Sequence, residues 1–182
     1  EYDLAKEING QAVATEIARH ELYGCTGAEM VQEMKPYHID FPNVKNNCLR
    51  FEVSPSIEES ATFTDADWAE LGNDFMQRMG LANHQYIIIR HSGTESKKEQ
   101  AHLHILANRV SLSGELYRDN WIGKKATEAA NAIAKERNFV QSQDIGKVNK
   151  AEIKEAMDGV LKKMQGFDFT KFKEELGKRG FK

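Results

Sequence analysis

Cysteine is scarce in this chain: two in 182 residues, Cys25 and Cys48. Two isolated thiols build no disulfide framework, so they read as free side chains in a reducing compartment. Proline is scarcer than in an average domain, with three residues, Pro36, Pro42 and Pro55, each of which reads as a local stop. No apolar run approaches the roughly 20 residues that a membrane span needs, which excludes a transmembrane segment and leaves no membrane partner to expect. No signal peptide is visible. There are no internal repeats, no low-complexity segments and no glycine-rich phosphate loop. The chain opens at Glu1 without Met, as a processed, trimmed or engineered fragment would. Its length suits one domain with a core large enough to need no staples.

Net charge is −3, which by itself points away from nucleic acid. Its distribution points the other way. Residues 1–85 carry six Lys/Arg against fifteen Asp/Glu, a balance of −9. Residues 86–150 carry eleven against seven, or +4, and residues 151–182 eight against six, or +2. A phosphate-binding face requires such a basic half.

That half holds the chain's chemistry. Gln85–His91 and Ala101–Val110 are aliphatic runs bounded by polar stretches, and each reads as a strand. Alternation puts His102, His104, Leu106 and Asn108 on one face, and Leu103, Ile105 and Ala107 on the other, toward a core. His91 is in phase with Ile87 and Ile89. If the two strands pair as an antiparallel hairpin, His91 lands beside His102 and His104. Three neutral imidazoles around one ion leave coordination positions open for water or substrate, as in catalytic sites.

Elsewhere the pattern is mixed. Gln11–His20 reads as loosely helical, and Gly27–Lys35 as a short helix opened by a Thr26/Glu29 capping box and closed by Pro36. Pro36 and Pro42 bracket an extended stretch. Asn47–Ser54 alternates as a half-buried strand, with Glu52 on the face opposite Leu49, Phe51 and Val53. Thr64 and Asp67 open the clearest helix, striped by Trp68, Leu71, Phe75 and Met79 and stopped by Gly80. Gly123–Arg137 reads as an amphipathic helix with Ala126, Ala130, Ile133 and Ala134 inward. Asn138–Val148 reads as a polar connector. A helix capped by Asn149 follows, with Ile153, Met157, Val160, Leu161 and Met164 on one face, and a last helix runs from about Phe169 to Lys178. Without strict βαβ alternation, the expected fold is α+β: an antiparallel sheet with helices on one face and the histidines on the other. Residues 1–140 form the core in this reading, and residues 141–182 a helical C-terminal extension of the same domain.

The stretch QYIIIRHSGT…HLHILANRV resembles the metal-binding motif of conjugative relaxases, the mobilisation proteins of the HUH endonuclease superfamily. Its most specific part is the His-x-His-x-x-x-Asn-Arg-Val core. Asp67-Trp68, Met79-Gly80 and Gly114 fall where that family has matching residues, and Tyr23-Gly24 with Ala28-Glu29-Met30 resembles a looser family stretch. The resemblance covers roughly residues 1–140. Two departures stand out. The family usually carries an Asp two residues after the first His, where this chain has Gly93; Glu95 or Glu52 would have to orient the imidazole instead. The Thr94–Ala101 loop is also longer.

The resemblance implies a DNA strand transferase that nicks one strand and leaves a 5′-phosphotyrosyl adduct. His91, His102 and His104 would ligate one divalent ion, Mg²⁺ or Mn²⁺, although imidazole also suits softer metals. Tyr2, in Tyr2-Asp3-Leu4-Ala5-Lys6, matches the family context of the nucleophile; Tyr23 is the alternative. Glu52 would accept the phenol proton or orient a histidine. Arg109, Lys97, Lys98, Lys124 and Lys125 would meet DNA phosphates. The implied partners are single-stranded or hairpin DNA at an origin of transfer, accessory relaxosome proteins and a coupling protein, in a bacterial cytoplasm. Two other readings fit the same residues: a non-catalytic DNA-binding domain with a degenerate site, and a three-histidine hydrolase of a small molecule.

Overall fold

A computed structural model describes residues 7–8, 11–92 and 100–181. The chain divides into two compact units, Glu1–Phe139 and Val140–Lys182. In the first, the described residues begin with a small hairpin, β1 (Glu7–Ile8) and β2 (Gln11–Ala12), and continue as β3 (Ala14–His20) and α1 (Gly27–Met34). A 3-10 turn (Lys35–His38), β4 (Cys48–Val53), α2 (Ile57–Ser60) and α3 (Asp65–Arg78) follow. β5 (His84–His91), β6 (His102–Ser111) and α4 (Ile122–Glu136) complete the unit. Four strands form one antiparallel sheet in the order β3-β5-β6-β4, with the histidine hairpin in the middle.

Hydrophobic alternation decides which side of that sheet is covered. Leu49 and Phe51 of β4, Tyr86 and Ile88 of β5, and Leu103, Ile105 and Ala107 of β6 point to one side. There they meet Trp68, Leu71, Phe75 and Met76 of α3, and Ala129 and Ile133 of α4. Burying each large apolar side chain stabilises the fold by about 1.5–3 kcal/mol. The Thr64/Asp67 capping box opens α3 as its sequence requires. Gly72 brings that helix onto the sheet: a Cβ there would stand 2.7 Å from Ile88 Cδ1. The opposite side is covered in part. Leu22 and Met30 pack on Ile87 and Ile89, so α1 shields one end of the histidine face.

Four local expectations are corrected. Gln11–His20 is strand, not helix. Glu16 pairs with Ile89 and Ala18 with Ile88, so Ile17 is the extra residue of a bulge. A bulge breaks period-two alternation, which is what made the segment look helical. Pro36 enters the 3-10 turn near its start, so the stretch toward Pro42 is not extended throughout. α2, capped by Ser56 and Glu59, is one turn long and too short to show a period. In α4 Ile133 is buried and Ala126 packs against the core as expected, while Ala129 is buried in place of the exposed Ala130.

The fourth correction falls in the second unit. Its first helix, α5, runs from Ser142 to Leu161, through the expected connector and past the expected cap at Asn149. Ala156 and Val160 are buried, whereas Ile153, Met157 and Leu161 stay exposed. α6 (Phe169–Lys178) is capped by Asp168, which accepts from the backbone N–H groups of Thr170 and Lys171. Arg179 then donates to the Ala156 carbonyl at 3.3 Å, tying the end of α6 to α5.

Candidate metal centre

His91 is the last residue of β5 and His102 the first of β6, and the antiparallel register sets them opposite one another. His104 lies two residues on and faces the same side. Its register partners are Ile89 on one flank and Glu52 on the other. The three rings converge. Centroids are 4.2 Å apart for His91 and His104, 5.0 Å for His102 and His104, and 5.4 Å for His91 and His102. One ring nitrogen from each lies within 4.8 Å of the other two. Among the described residues this is the group of His, Cys, Asp and Glu side chains that brings three potential ligand atoms together.

All three are buried, at 0% exposure for His91, 2% for His102 and 6% for His104. The histidines stand on the sheet face away from the α3 and α4 core, as expected, and are nonetheless shielded from solvent. Three rings held together away from water offer a shared cation ligands in a common place.

Hydrogen bonds sort the ring nitrogens. His102 Nδ1 lies 3.2 Å from the Gln100 carbonyl. A carbonyl only accepts, so Nδ1 carries the proton and Nε2 keeps its lone pair for a cation, as metal-bound histidines are usually held. His104 Nδ1 lies 3.1 Å from Arg50 Nη2. Arg50 is on β4, on the same face as Glu52. Sequence reasoning passed over Arg50, although its two-residue spacing from Glu52 already placed it on the site's side. Three ring nitrogens within 4.8 Å of one another fit a divalent cation with positions left for other ligands.

The far end of the same face holds a different polar group. Asn108 is fully buried. Its Oδ1 accepts from His38 Nε2 at 2.6 Å and from Val110 N at 3.2 Å. Its Nδ2 donates to Gln85 Oε1 at 2.9 Å and to the Met34 carbonyl at 3.4 Å. Both acceptor and both donor positions of the amide are used. His38 and His84, which carried no role in the sequence reading, belong here: His84 Nδ1 lies 2.9 Å from the Asn108 carbonyl. Burial holds the His84 imidazole below its usual value, opposed by that hydrogen bond.

The remaining candidates are dispersed. Tyr2, Gly93, Glu95, Lys97 and Lys98 lie outside the described residues. Glu52 sits beside the cluster by register. Tyr23 does not: β3 begins opposite His91 at Ala14 and ends at His20, roughly 20 Å along the strand, and Tyr23 lies beyond that end. Its hydroxyl donates to Glu21, which raises its pKa. Arg109 is engaged inside the fold. It donates to the carbonyls of Tyr117 and Asn46 and pairs with Asp119 at 2.7 Å. Lys124 and Lys125 are on α4, which packs on the sheet's other side. Lys125 donates to the Arg118 carbonyl at 2.9 Å and lies over the Tyr117 ring, and Lys124 is 3.9 Å from Glu128.

A helix-backed antiparallel sheet with three converging strand histidines is the arrangement of an HUH endonuclease. Residues 2–139 match the family described as Relaxase: MobA/VirD2-like, nuclease domain, and the chain belongs to that family of DNA-nicking enzymes. No curated protein and no solved structure matches it. Among the described residues, no helix is long and apolar enough to cross a membrane.

Proposed function

We propose that the chain nicks one DNA strand at a defined site of an origin of transfer and so initiates conjugative or mobilisation transfer. The convergence of His91, His102 and His104 in a chain of the relaxase family carries this reading. These three side chains would hold one divalent ion, Mg²⁺ or Mn²⁺. Such an ion, when bound, polarises a phosphodiester and offsets the negative charge that builds up on it.

In this proposal the nucleophile is Tyr2. Its phenol oxygen attacks phosphorus, the bond from phosphorus to the 3′ oxygen breaks, and the 5′ phosphate becomes esterified to the tyrosine. Glu52 takes the phenol proton, and the departing 3′ oxygen gains one from water to become a hydroxyl. The path of the chain favours Tyr2 over Tyr23. Val13 and Ala14 enter the sheet at the cluster, where Ser92 N donates to the Val13 carbonyl at 2.8 Å. Tyr23 leaves at the opposite end.

The substrate in this reading is single-stranded DNA or a hairpin with a single-stranded tail. Lys97 and Lys98, between the histidine strands in sequence, contact its phosphates in this proposal, together with Arg109, Lys124 and Lys125. Residues 1–140 act as the nicking core and residues 141–182 as its helical extension. Accessory relaxosome proteins and a coupling protein in a bacterial cytoplasm complete the assignment.

The test is covalent capture of an oligonucleotide bearing the cognate nick site. A protein–DNA adduct forms with Mg²⁺ or Mn²⁺ and is absent with chelator. Tyr2→Phe abolishes it and Tyr23→Phe leaves it intact. DNA on the peptide containing Tyr23 overturns the choice of nucleophile. Absence of any adduct, with metal and cognate DNA present, overturns the nicking mechanism.

A further inference from the structure

We infer that Arg50 is a metal-responsive phosphate-binding residue of this site, a role that rests on the proposed metal-dependent nicking. Arg50 Nη2 lies 3.1 Å from His104 Nδ1. A guanidinium stays protonated throughout the accessible pH range and has no lone pair to offer, so it must be the donor. His104 Nδ1 is therefore the acceptor. A neutral imidazole has one nitrogen lone pair, its other nitrogen carrying the proton. In this state His104 spends its lone pair on Arg50.

Metal ligation needs that same lone pair. If His104 ligates through Nδ1, the cation takes the place of the guanidinium. If it ligates through Nε2, the proton moves to Nδ1 and faces the Arg50 N–H groups, donor against donor. Both modes break the hydrogen bond between Arg50 and His104. His102 behaves differently, because its Nδ1 proton on the Gln100 carbonyl leaves Nε2 available without any rearrangement. Of these two imidazoles, one is pre-set for the cation and the other must be given up by an arginine.

Release from His104 leaves the guanidinium beside a divalent cation, where like charges repel. A phosphodiester reaching the cation relieves this, since Arg pairs with phosphate oxygens in a planar, two-pronged geometry. β4 provides the direction: Arg50 and Glu52 stand on the face that carries His104, with Glu52 directly opposite His104. Cation loading thus converts Arg50 from a partner of His104 into a partner of DNA. Metal and the scissile phosphate bind cooperatively, while metal alone binds against a resisting hydrogen bond.

Ring-nitrogen NMR of the metal-free protein and of its Zn²⁺-loaded form tests the tautomers, with Zn²⁺ as a diamagnetic probe. The metal-free wild type shows His104 protonated at Nε2 and His102 protonated at Nδ1. A metal-free His104 protonated at Nδ1 overturns the inference. Calorimetric titration with Mn²⁺ tests the coupling. Without DNA, Arg50→Ala binds Mn²⁺ roughly tenfold more tightly than wild type, since a hydrogen bond to a charged group is given up no longer. With an oligonucleotide spanning the nick site, the order reverses for DNA: wild type gains affinity on adding Mn²⁺ and Arg50→Ala gains markedly less. Equal Mn²⁺ affinities for the two proteins, or equal DNA gains, overturn the role of Arg50 while leaving the nicking proposal standing. A wild type that takes up no metal overturns the metal centre itself, a separate result that the titration also reads.

Discussion

The hairpin of β5 and β6 buries two polar groups on one face, one at each end, and they differ in what their polar atoms converge on. At the Asn108 end the bonds close within the protein. The amide is saturated by His38, Gln85, Val110 and Met34, and α1 lies over the neighbouring aliphatic residues. At the His91/His102/His104 end, three rings point ligand atoms at a common centre. A saturated buried network rigidifies; a set of converging ring nitrogens offers a cation its ligands. Burial alone does not separate structure from function on this face. The convergence of the ring nitrogens does.

The sharpest way to break this contrast is to remove the rings. The double substitution His102→Ala, His104→Ala should lower DNA cleavage by at least about a hundredfold, since even residues that merely orient metal ligands cost 10–100-fold. Metal uptake should vanish with it, measured by equilibrium dialysis. Stoichiometric metal in that variant would show that the cluster is not the centre.

Asn108→Ala should have the complementary effect. It leaves Gln85 and His38 without their amide partner in a buried place, so the fold should lose about 3 kcal/mol. Thermal melting should drop by roughly 6–12 °C, while metal affinity stays near wild type. A variant that melts normally but has lost its metal would merge the two ends into one functional unit.

Acid should weaken the Asn108 end in a defined direction. Burial depresses the folded-state pKa of His84 below its unfolded value. Between those two values the unfolded chain holds the extra proton. The contribution of His84 is therefore complete above about pH 6.5 and is lost as pH falls through the window below it. Melting temperature followed downward from pH 7 should fall more steeply in wild type than in His84→Gln. Parallel curves would remove His84 from the account.

The smallest effect belongs to the cover. Thr26→Ala removes the capping box of α1 and should cost about 1 kcal/mol. Because α1 packs on Ile87 and Ile89 through Met30, chemical denaturation should detect the change while oligonucleotide cleavage is unaltered. Loss of cleavage in a folded Thr26→Ala protein would mean that the apolar cover also tunes the metal end.

The amino-acid sequence by itself determined the two histidine strands, the α3 stripe and the Thr26 and Thr64 capping boxes. Each is encoded within about ten residues, where a period of 2.0 or 3.6 or a capping pair needs no distant partner. The faces of Leu103, Ile105 and Ala107 followed from alternation alone. Tertiary structure decided the rest. β3 is a strand because β5 pairs with it around the Ile17 bulge, a register that local periodicity hides. The connector before Asn149 is helical because α5 runs through it without a break. Asn108 stands on the histidine face by alternation, yet only the approach of His38 and Gln85 from distant segments makes it a saturated network and not part of the site. Arg50 meets His104 across 54 positions of sequence, by the pairing of β4 with β6. Local pattern states which way a side chain points; non-local pairing sets what it meets there, because hydrogen bonds and lone pairs act over about 3 Å of space and not along the chain.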